Sequence, residues 1–228
     1  MKHSFASIKQ SFHNQESWLN VWVFKYFTMP MVYVIVNYTK ITPNIISIIS
    51  LILGLGSAYY FFIGHELIAV VLYLISYLFD AIDGKVARLT KTGKPYGAWM
   101  DIFIDRIILV LVSTAIAYNY FVESNDNKLL ILNSILLGLV FIGSESRHQI
   151  NMHKAKIKAQ ESEPNSNYKK WCKAKGLVYE PISLVEVIIF YLIIAPLLGI
   201  EFYASLVVIA FLILRLLKQQ LYWIKLKA

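Results

Sequence analysis

Six stretches of this chain are apolar and long enough to cross a bilayer, at about 1.5 Å of helical rise per residue against about 30 Å of hydrocarbon. They fall near residues 43–63, 67–89, 97–122, 129–147, 183–199 and 202–218, the last two short and parted only by Gly199, Ile200 and Glu201. A further stretch, WLNVWVFKYFTMPMVYVIVNY (18–38), matches them in length but contains Lys25, Pro30 and Asn37. Its Trp, Tyr, Phe and Lys content suits a helix lying in the membrane interface, with a crossing as the alternative. The pattern therefore predicts an all-α integral membrane protein, a six-transmembrane helical bundle preceded by an N-terminal amphipathic interfacial helix. Residues 1–42 are expected to form the N-terminal part and 43–228 the six-span domain, with a polar, basic loop near 148–182 around Pro164.

Composition agrees with a membrane solvent. The chain is 57% hydrophobic and 16% charged, against about 45–50% and about 25% in soluble domains. A net charge of +8 suggests nucleic acid until the charges are placed. If span 43–63 starts on the cytoplasmic side, the outer turns are residues 64–66, 123–128 and the segment around Glu201. Of 22 Lys and Arg residues, only Lys128 then lies outside. The basic balance thus reads as the positive-inside rule, with both termini cytoplasmic and no nucleic-acid partner. Tyr222, Trp223, Lys225 and Lys227 read as an interfacial belt. No secretory leader is visible in MKHSFASIKQSFHNQ, and the single Cys172 excludes an intramolecular disulfide.

Against this apolar background, four of the five aspartates fall within 26 residues: Asp80, Asp83, Asp101 and Asp105. An ionised carboxylate in a membrane core costs about 2.5–3.5 kcal/mol even on a lenient scale, and four without matching cations require a counter-charge that two divalent ions supply. Asp80 and Asp83, three apart, share a helix face with Gly84, Ala87 and Arg88; Gly97, Asp101 and Asp105, each four apart, make a stripe on the next helix. Counted from the short connecting loop, Asp83 and Asp101 form a shallow pair and Asp80 and Asp105 a deeper one. All-oxygen ligands suit Mg, Mn or Ca rather than zinc or copper, with two Mg2+ or Mn2+ ions as the expected set. Gly84, Ala87 and Gly97 serve either close helix packing or a gap that admits a nucleotide, whose phosphates Arg88 would meet.

These residues spell D-x-x-D-G-x-x-A-R, eight residues, then G-x-x-x-D-x-x-x-D. The chain thereby resembles the CDP-alcohol phosphotransferase (CDP-alcohol phosphatidyltransferase) family, without a departure between Asp80 and Asp105. TPN at 42–44 and FKYFTMPM at 24–31 resemble that family's entry sequence and preceding interfacial segment. The resemblance implies transfer of a phosphoalcohol group, most simply phosphatidyl from CDP-diacylglycerol, to an acceptor alcohol with release of CMP. It implies two divalent metals on Asp80, Asp83, Asp101 and Asp105, with Asp105 as general base. It also implies a nucleotide along Asp83, Gly84, Ala87, Arg88 and Gly97, and a homodimer.

Other residues carry weaker signals. Asn44 is a helix-entry cap or a nucleotide contact. Glu145, Arg147 and Glu186 are candidate acceptor contacts, with a Glu186–Arg147 pair as an alternative. SESRHQ (144–149) has one Arg where relatives accepting phosphorylated alcohols carry an Arg-x-Arg-like pair, so the acceptor stays open. A soluble CDP-alcohol with a lipid or polyol acceptor is the rival arrangement. A divalent-cation transporter is the rival class, but it leaves Ala87, Arg88 and the glycines without a role.

Overall fold

The computed structural model describes residues 3–12, 15–156, 166–180 and 182–227, and among these it is helical almost throughout. Ten α-helices follow in order: α1 Phe5–Ser11, α2 Lys25–Tyr38, α3 Pro43–Phe62, α4 Glu66–Thr90, α5 Pro95–Ser124, α6 Lys128–Lys156, α7 Asn167–Lys175, α8 Leu184–Ile189, α9 Ala195–Leu198 and α10 Glu201–Lys227. Three of them, α3, α4 and Lys128–His153 within α6, are long and apolar enough to cross a membrane. The protein is an integral membrane protein.

The helix boundaries follow from local chemistry. Pro43 and Pro95 open α3 and α5, where a missing N–H costs nothing. Gly64, at φ 77°, makes the tight turn between α3 and α4, and Gly199, at φ 63°, reverses the chain between α9 and α10. Two π-helical turns, Asn20–Phe24 and Phe190–Ile194, lead directly into α2 and α9. The second precedes Pro196, which has no N–H to continue the regular ladder, so the helix widens there. Leu184–Leu198 is thereby one apolar helix with a bulge rather than two fragments.

Among the described residues of the expected loop near 148–182, α6 runs on to Lys156 and α7 spans Asn167–Lys175 with Gly176 as its C-cap. Pro164 lies outside the described residues, as do the side chains of Lys225 and Lys227. Cys172 is a buried free thiol.

The central position belongs to α3, which packs along both α4 and α5; α6 packs on α5 and α10, and α2 on α4. Between α3 and α4 serines replace apolar interdigitation. Ser50 Oγ donates to the Ser76 carbonyl (3.0 Å), Ser76 Oγ donates back to the Ser50 carbonyl (2.8 Å), and Ser57 Oγ donates to the Ala69 carbonyl (2.8 Å). Such small polar seams let membrane helices approach closely and resist sliding. On the other face of α3, a Cβ built at Gly54 would lie 2.6 Å from Ile108 Cγ1 and 3.0 Å from its Cγ2. Both are bonded directly to Cβ, and turning χ1 moves one away only by bringing the other substituent round, so Gly54→Ala is expected to cost about 1–3 kcal/mol by overpacking. Unfolding of the detergent-solubilised variant checks this; an unchanged midpoint would show that α3 and α5 separate freely.

The main core joins Phe61, Val70, Ile108, Val112, Leu136, Tyr191, Leu192, Val208 and Leu212 from six helices. A second cluster, Ile8, Phe12, Val32, Ile35, Val36, Ile46, Ile82 and Val86, seats α1 and α2 against the starts and ends of α3 and α4. The two clusters bracket the aspartates.

Candidate active site

Single carboxylate oxygens of Asp80, Asp83 and Asp101 all lie within 4.8 Å of one another, although they come from two helices. Their convergence follows from the shared packing of α4 and α5 on α3. Asp83 is buried and accepts a hydrogen bond from Ser47 Oγ of α3, which ties the acid set to the central helix. Asp105 stands one turn beyond Asp101 and lines the same cavity as Asp80. Asp80 thus belongs both to the close trio and to the space that Asp105 faces.

The nearby cations are engaged elsewhere. Lys85, buried behind Asp83, pairs with Glu16 at 3.3 Å. Arg106 donates from Nη2 to Ser144 Oγ (2.7 Å) and lies 5.0 Å from the Phe141 ring centroid. Neither cation is paired directly with these acids, and the donors of the acid set are all oxygen. The set fits a hard divalent cation such as Mg2+ or Mn2+.

Two clefts meet at this group. The first, about 830 Å³, is lined by Thr42, Pro43, Asn44, Ser47, Asp83, Gly84, Ala87 and Arg88, by residues 91–98, and by Asp101. Its rim carries Arg88, Lys91 and Lys94, and its floor carries two of the acids. Every residue weighed from the sequence as a nucleotide contact lines this one space. The glycines also resolve their two readings here. A Cβ on Gly84 would meet only Arg88 Nη1 at 3.6 Å, and one on Gly97 only Asn44 Oδ1 at 3.7 Å. Neither glycine is pressed against a neighbouring helix, as Gly54 is; both open onto the cleft.

The second cleft, about 370 Å³, holds the deeper acids Asp80 and Asp105 among Asn20, Tyr73, Tyr77, Ile102, Arg106, Leu109, Val140, Phe141, Ser144, Leu184, Val185, Ile188 and Ile189. Asp105 is open to this space despite its depth among the helices. The shallow and deep pairs expected from the spacing thus face different cavities.

A third cavity of about 320 Å³ shares Val140, Ser144, Leu184 and Val185 with the second and adds Ser17, Ser183, Arg147, Arg215 and Gln219. Arg147 and Arg215 each lie 3.8 Å from Glu180. Arg215 Nη1 and Gln219 Oε1 are buried with no hydrogen-bond partner. Arg215 of α10 thus places a second guanidinium in the cavity that Arg147 of α6 lines. Its signal was an arginine inside the apolar run LILRLL (212–217), since intramembrane charge marks function by default.

Two other acids line none of these three cavities. Arg147 pairs with Glu180 rather than Glu186, which completes a capping box with Ser183 and accepts from Leu19 N at 3.1 Å. The helix start at Ser183 uses its carboxylate as an N-terminal cap. Glu145 accepts from Gln149 Nε2 (2.7 Å) one turn along an exposed face of α6.

A sequence model of the family described as CDP-alcohol phosphatidyltransferase matches residues 40–226. The chain is 28% identical over 97 residues to the archaetidylinositol phosphate synthase of Pyrococcus horikoshii, covering 42% of this chain and 52% of that one. It is 33% identical over 85 residues to the CDP-diacylglycerol–serine O-phosphatidyltransferase of Helicobacter pylori, covering 37% and 36%. It is 41% identical over 69 residues to the phosphatidylinositol phosphate synthase of Corynebacterium glutamicum, covering 30% and 32%. The matches thus span about half or less of these curated relatives. The crystal structure of Mycobacterium tuberculosis phosphatidylinositol phosphate synthase (PgsA1) with CDP-DAG bound superposes with a TM-score of 0.56 at 17% identity, over 86% of this chain and 93% of that one. That likeness concerns the fold.

Proposed function

The chain belongs to the CDP-alcohol phosphatidyltransferase family, and on that premise we propose that it moves a phosphatidyl group from CDP-diacylglycerol to an acceptor alcohol, releasing CMP. One observation carries this reading: three converging carboxylates, with Asp105 sharing the cavity of Asp80, stand where a polar, basic-rimmed cleft meets a second, largely apolar one. The domain extends over 43–228 as six spans, with both termini and the first cleft on the cytoplasmic side. Residues 18–38 lie along the interface after a cytoplasmic N-terminus, in keeping with the outward-facing Tyr26, Phe27 and Tyr38 of α2.

Asp80, Asp83, Asp101 and Asp105 would hold two divalent ions, which when bound neutralise charge on the transferring phosphoryl group and on departing CMP. In the first cleft, Asn44, Gly84, Ala87 and Gly97 leave room for cytidine and ribose, and Arg88 meets the phosphates. Asp105, open to the second cleft, takes the proton from the acceptor hydroxyl as its oxygen bonds to the phosphorus that carries diacylglycerol. The bond from that phosphorus to the bridging oxygen breaks, and the electron pair leaves with CMP. The lipid chains stay in the bilayer along the exposed flank of α5 that carries Trp99, Ile102 and Phe103, of which Ile102 also lines the second cleft.

The acceptor carries an anionic group, bound by Arg147 and Arg215 in the third cavity with its hydroxyl reaching back toward Asp105. Truncating such a contact removes binding common to ground and transition states. Arg215→Gln is therefore expected to raise the acceptor KM at least about tenfold, the scale of a charge-assisted hydrogen bond, with kcat within about threefold. An unchanged KM would remove the anion from the acceptor.

The test of the reaction follows CMP in detergent with Mg2+ or Mn2+. CDP-diacylglycerol and soluble CDP-alcohols are offered separately with pooled phosphorylated and unphosphorylated alcohols. CMP from CDP-diacylglycerol alone is the expected result. CMP only from a soluble donor would reverse the direction of transfer, and none from either would overturn the reading.

A further inference from the structure

The α4–α3 serine seam ends at Ser76 and the Asp83–Ser47 bond. Beyond it, Gly84, Ala87 and Arg88 line the first cleft, and α3 makes no hydrogen bond to that turn among the described residues. Val86 shares a buried apolar cluster with Ile46 of α3 and with α2, and the polar contacts to this wall come from the N-terminal segment. Glu16 Oε1 lies 3.3 Å from Lys85 Nζ, with side chains only 15% and 7% exposed. Lys85 Nζ also donates to the Ala81 carbonyl (2.7 Å) and sits 4.8 Å from the Phe12 ring centroid. The Ser11 carbonyl is 3.5 Å from Arg88 Nη2.

The same segment is anchored on its other side. Glu16 N donates to the Gly176 carbonyl and Val178 N donates to the Glu16 carbonyl, both at 2.9 Å. Trp18 Nε1 donates to the Val178 carbonyl (3.1 Å), and the Trp18 ring packs on Trp171 at 5.8 Å. Leu19 N reaches Glu186, and Asn20 Oδ1 accepts from Tyr77 OH at 2.6 Å. Residues 16–20 therefore join α4 to the distant stretch that runs from the end of α7 to the start of α8. Neither Glu16 nor Lys85 lines the first cleft.

We propose that the Glu16–Lys85 pair is a positioning strut for the nucleotide cleft, and that Lys85, which touches neither substrate nor metal, sets nucleotide affinity by fixing the last two turns of α4. This rests on the cleft being the CDP site. A buried charge pair is a weak source of stability but fixes one geometry when both partners are present. Removing either charge frees residues 84–90, and with them Gly84, Ala87 and Arg88, while the acids, held through Ser47 and α3, keep their arrangement.

The experiment measures CDP binding by calorimetry in saturating Mn2+, and donor KM and kcat, on the full chain in detergent. Glu16→Gln and Lys85→Met are each expected to weaken CDP binding at least about tenfold and raise donor KM in step, with kcat within about threefold. Lys85→Arg, which keeps the charge, is expected to bind CDP within about threefold of wild type. If Lys85→Met does not yield folded protein, the shape-preserving Glu16→Gln carries the test. A lowered melting temperature with unchanged CDP affinity and donor KM would show a purely structural pair and overturn the proposal. A parallel loss of kcat would do the same. Wild-type protein that binds no CDP would instead sink the cleft assignment, and the strut with it.

Discussion

Asp105→Asn is expected to lower kcat by about a hundredfold to ten-thousandfold, the range spanned by positioned proton acceptors, while CDP still binds in the presence of Mn2+. The reason lies in where the fourth acid stands. Asp80, Asp83 and Asp101 draw together within 4.8 Å, and Asp83 and Asp101 line the polar cleft. Asp105 instead faces the cavity on the other side of the group, shared with Asp80 and continuous with the Arg147 and Arg215 cavity. An amide at 105 keeps shape and one oxygen donor but cannot accept a proton, so binding and turnover separate. Single-turnover CMP release beside calorimetric CDP binding checks this. Turnover within a few-fold of wild type would remove the base from Asp105.

Asp83→Asn is expected to act in the opposite order, abolishing nucleotide binding before chemistry is reached. Asp83 is the most enclosed acid of the close trio, with Ser47 fixing its side chain. Partners that merely orient a metal ligand are worth about 10–100-fold in affinity, so loss of a ligand charge should exceed that. CDP affinity in Mn2+ should fall by more than about a hundredfold, and activity should vanish even at saturating donor. Asp101→Asn should behave alike. Retained CDP binding in either variant would show that the nucleotide is held without the acids.

Much of this site was legible in the chain before any coordinates. The spacing Asp80–Asp83 and Asp101–Asp105 is a helix-face statement, and helical geometry carries it into space with little freedom left. The same holds for Gly84, Ala87, Arg88 and Gly97, which fall along one cleft because two successive helices run back from one four-residue connection. What sequence left open concerned contacts between elements distant along the chain. Whether a glycine packs or opens depends on its neighbour: Gly54 meets Ile108, Gly97 meets only the tip of Asn44. Arg215 joins Arg147 only because α10 returns beside α6. Glu186, read as an acceptor contact, is absorbed by a local cap, since a carboxylate three residues after Ser183 satisfies nearby N–H groups first. Lys85 falls between the fixed positions of the motif, and only the fold places Glu16 against it.

The most direct measurement titrates Mn2+ into the detergent-solubilised protein with saturating CDP, counting bound ions by calorimetry and electron paramagnetic resonance. Two Mn2+ per chain, lost with CDP binding in Asp83→Asn and Asp101→Asn, is the expected result. CDP binding of equal strength in chelator, with no Mn2+ retained by the wild-type chain, would contradict a carboxylate cage built around divalent cations.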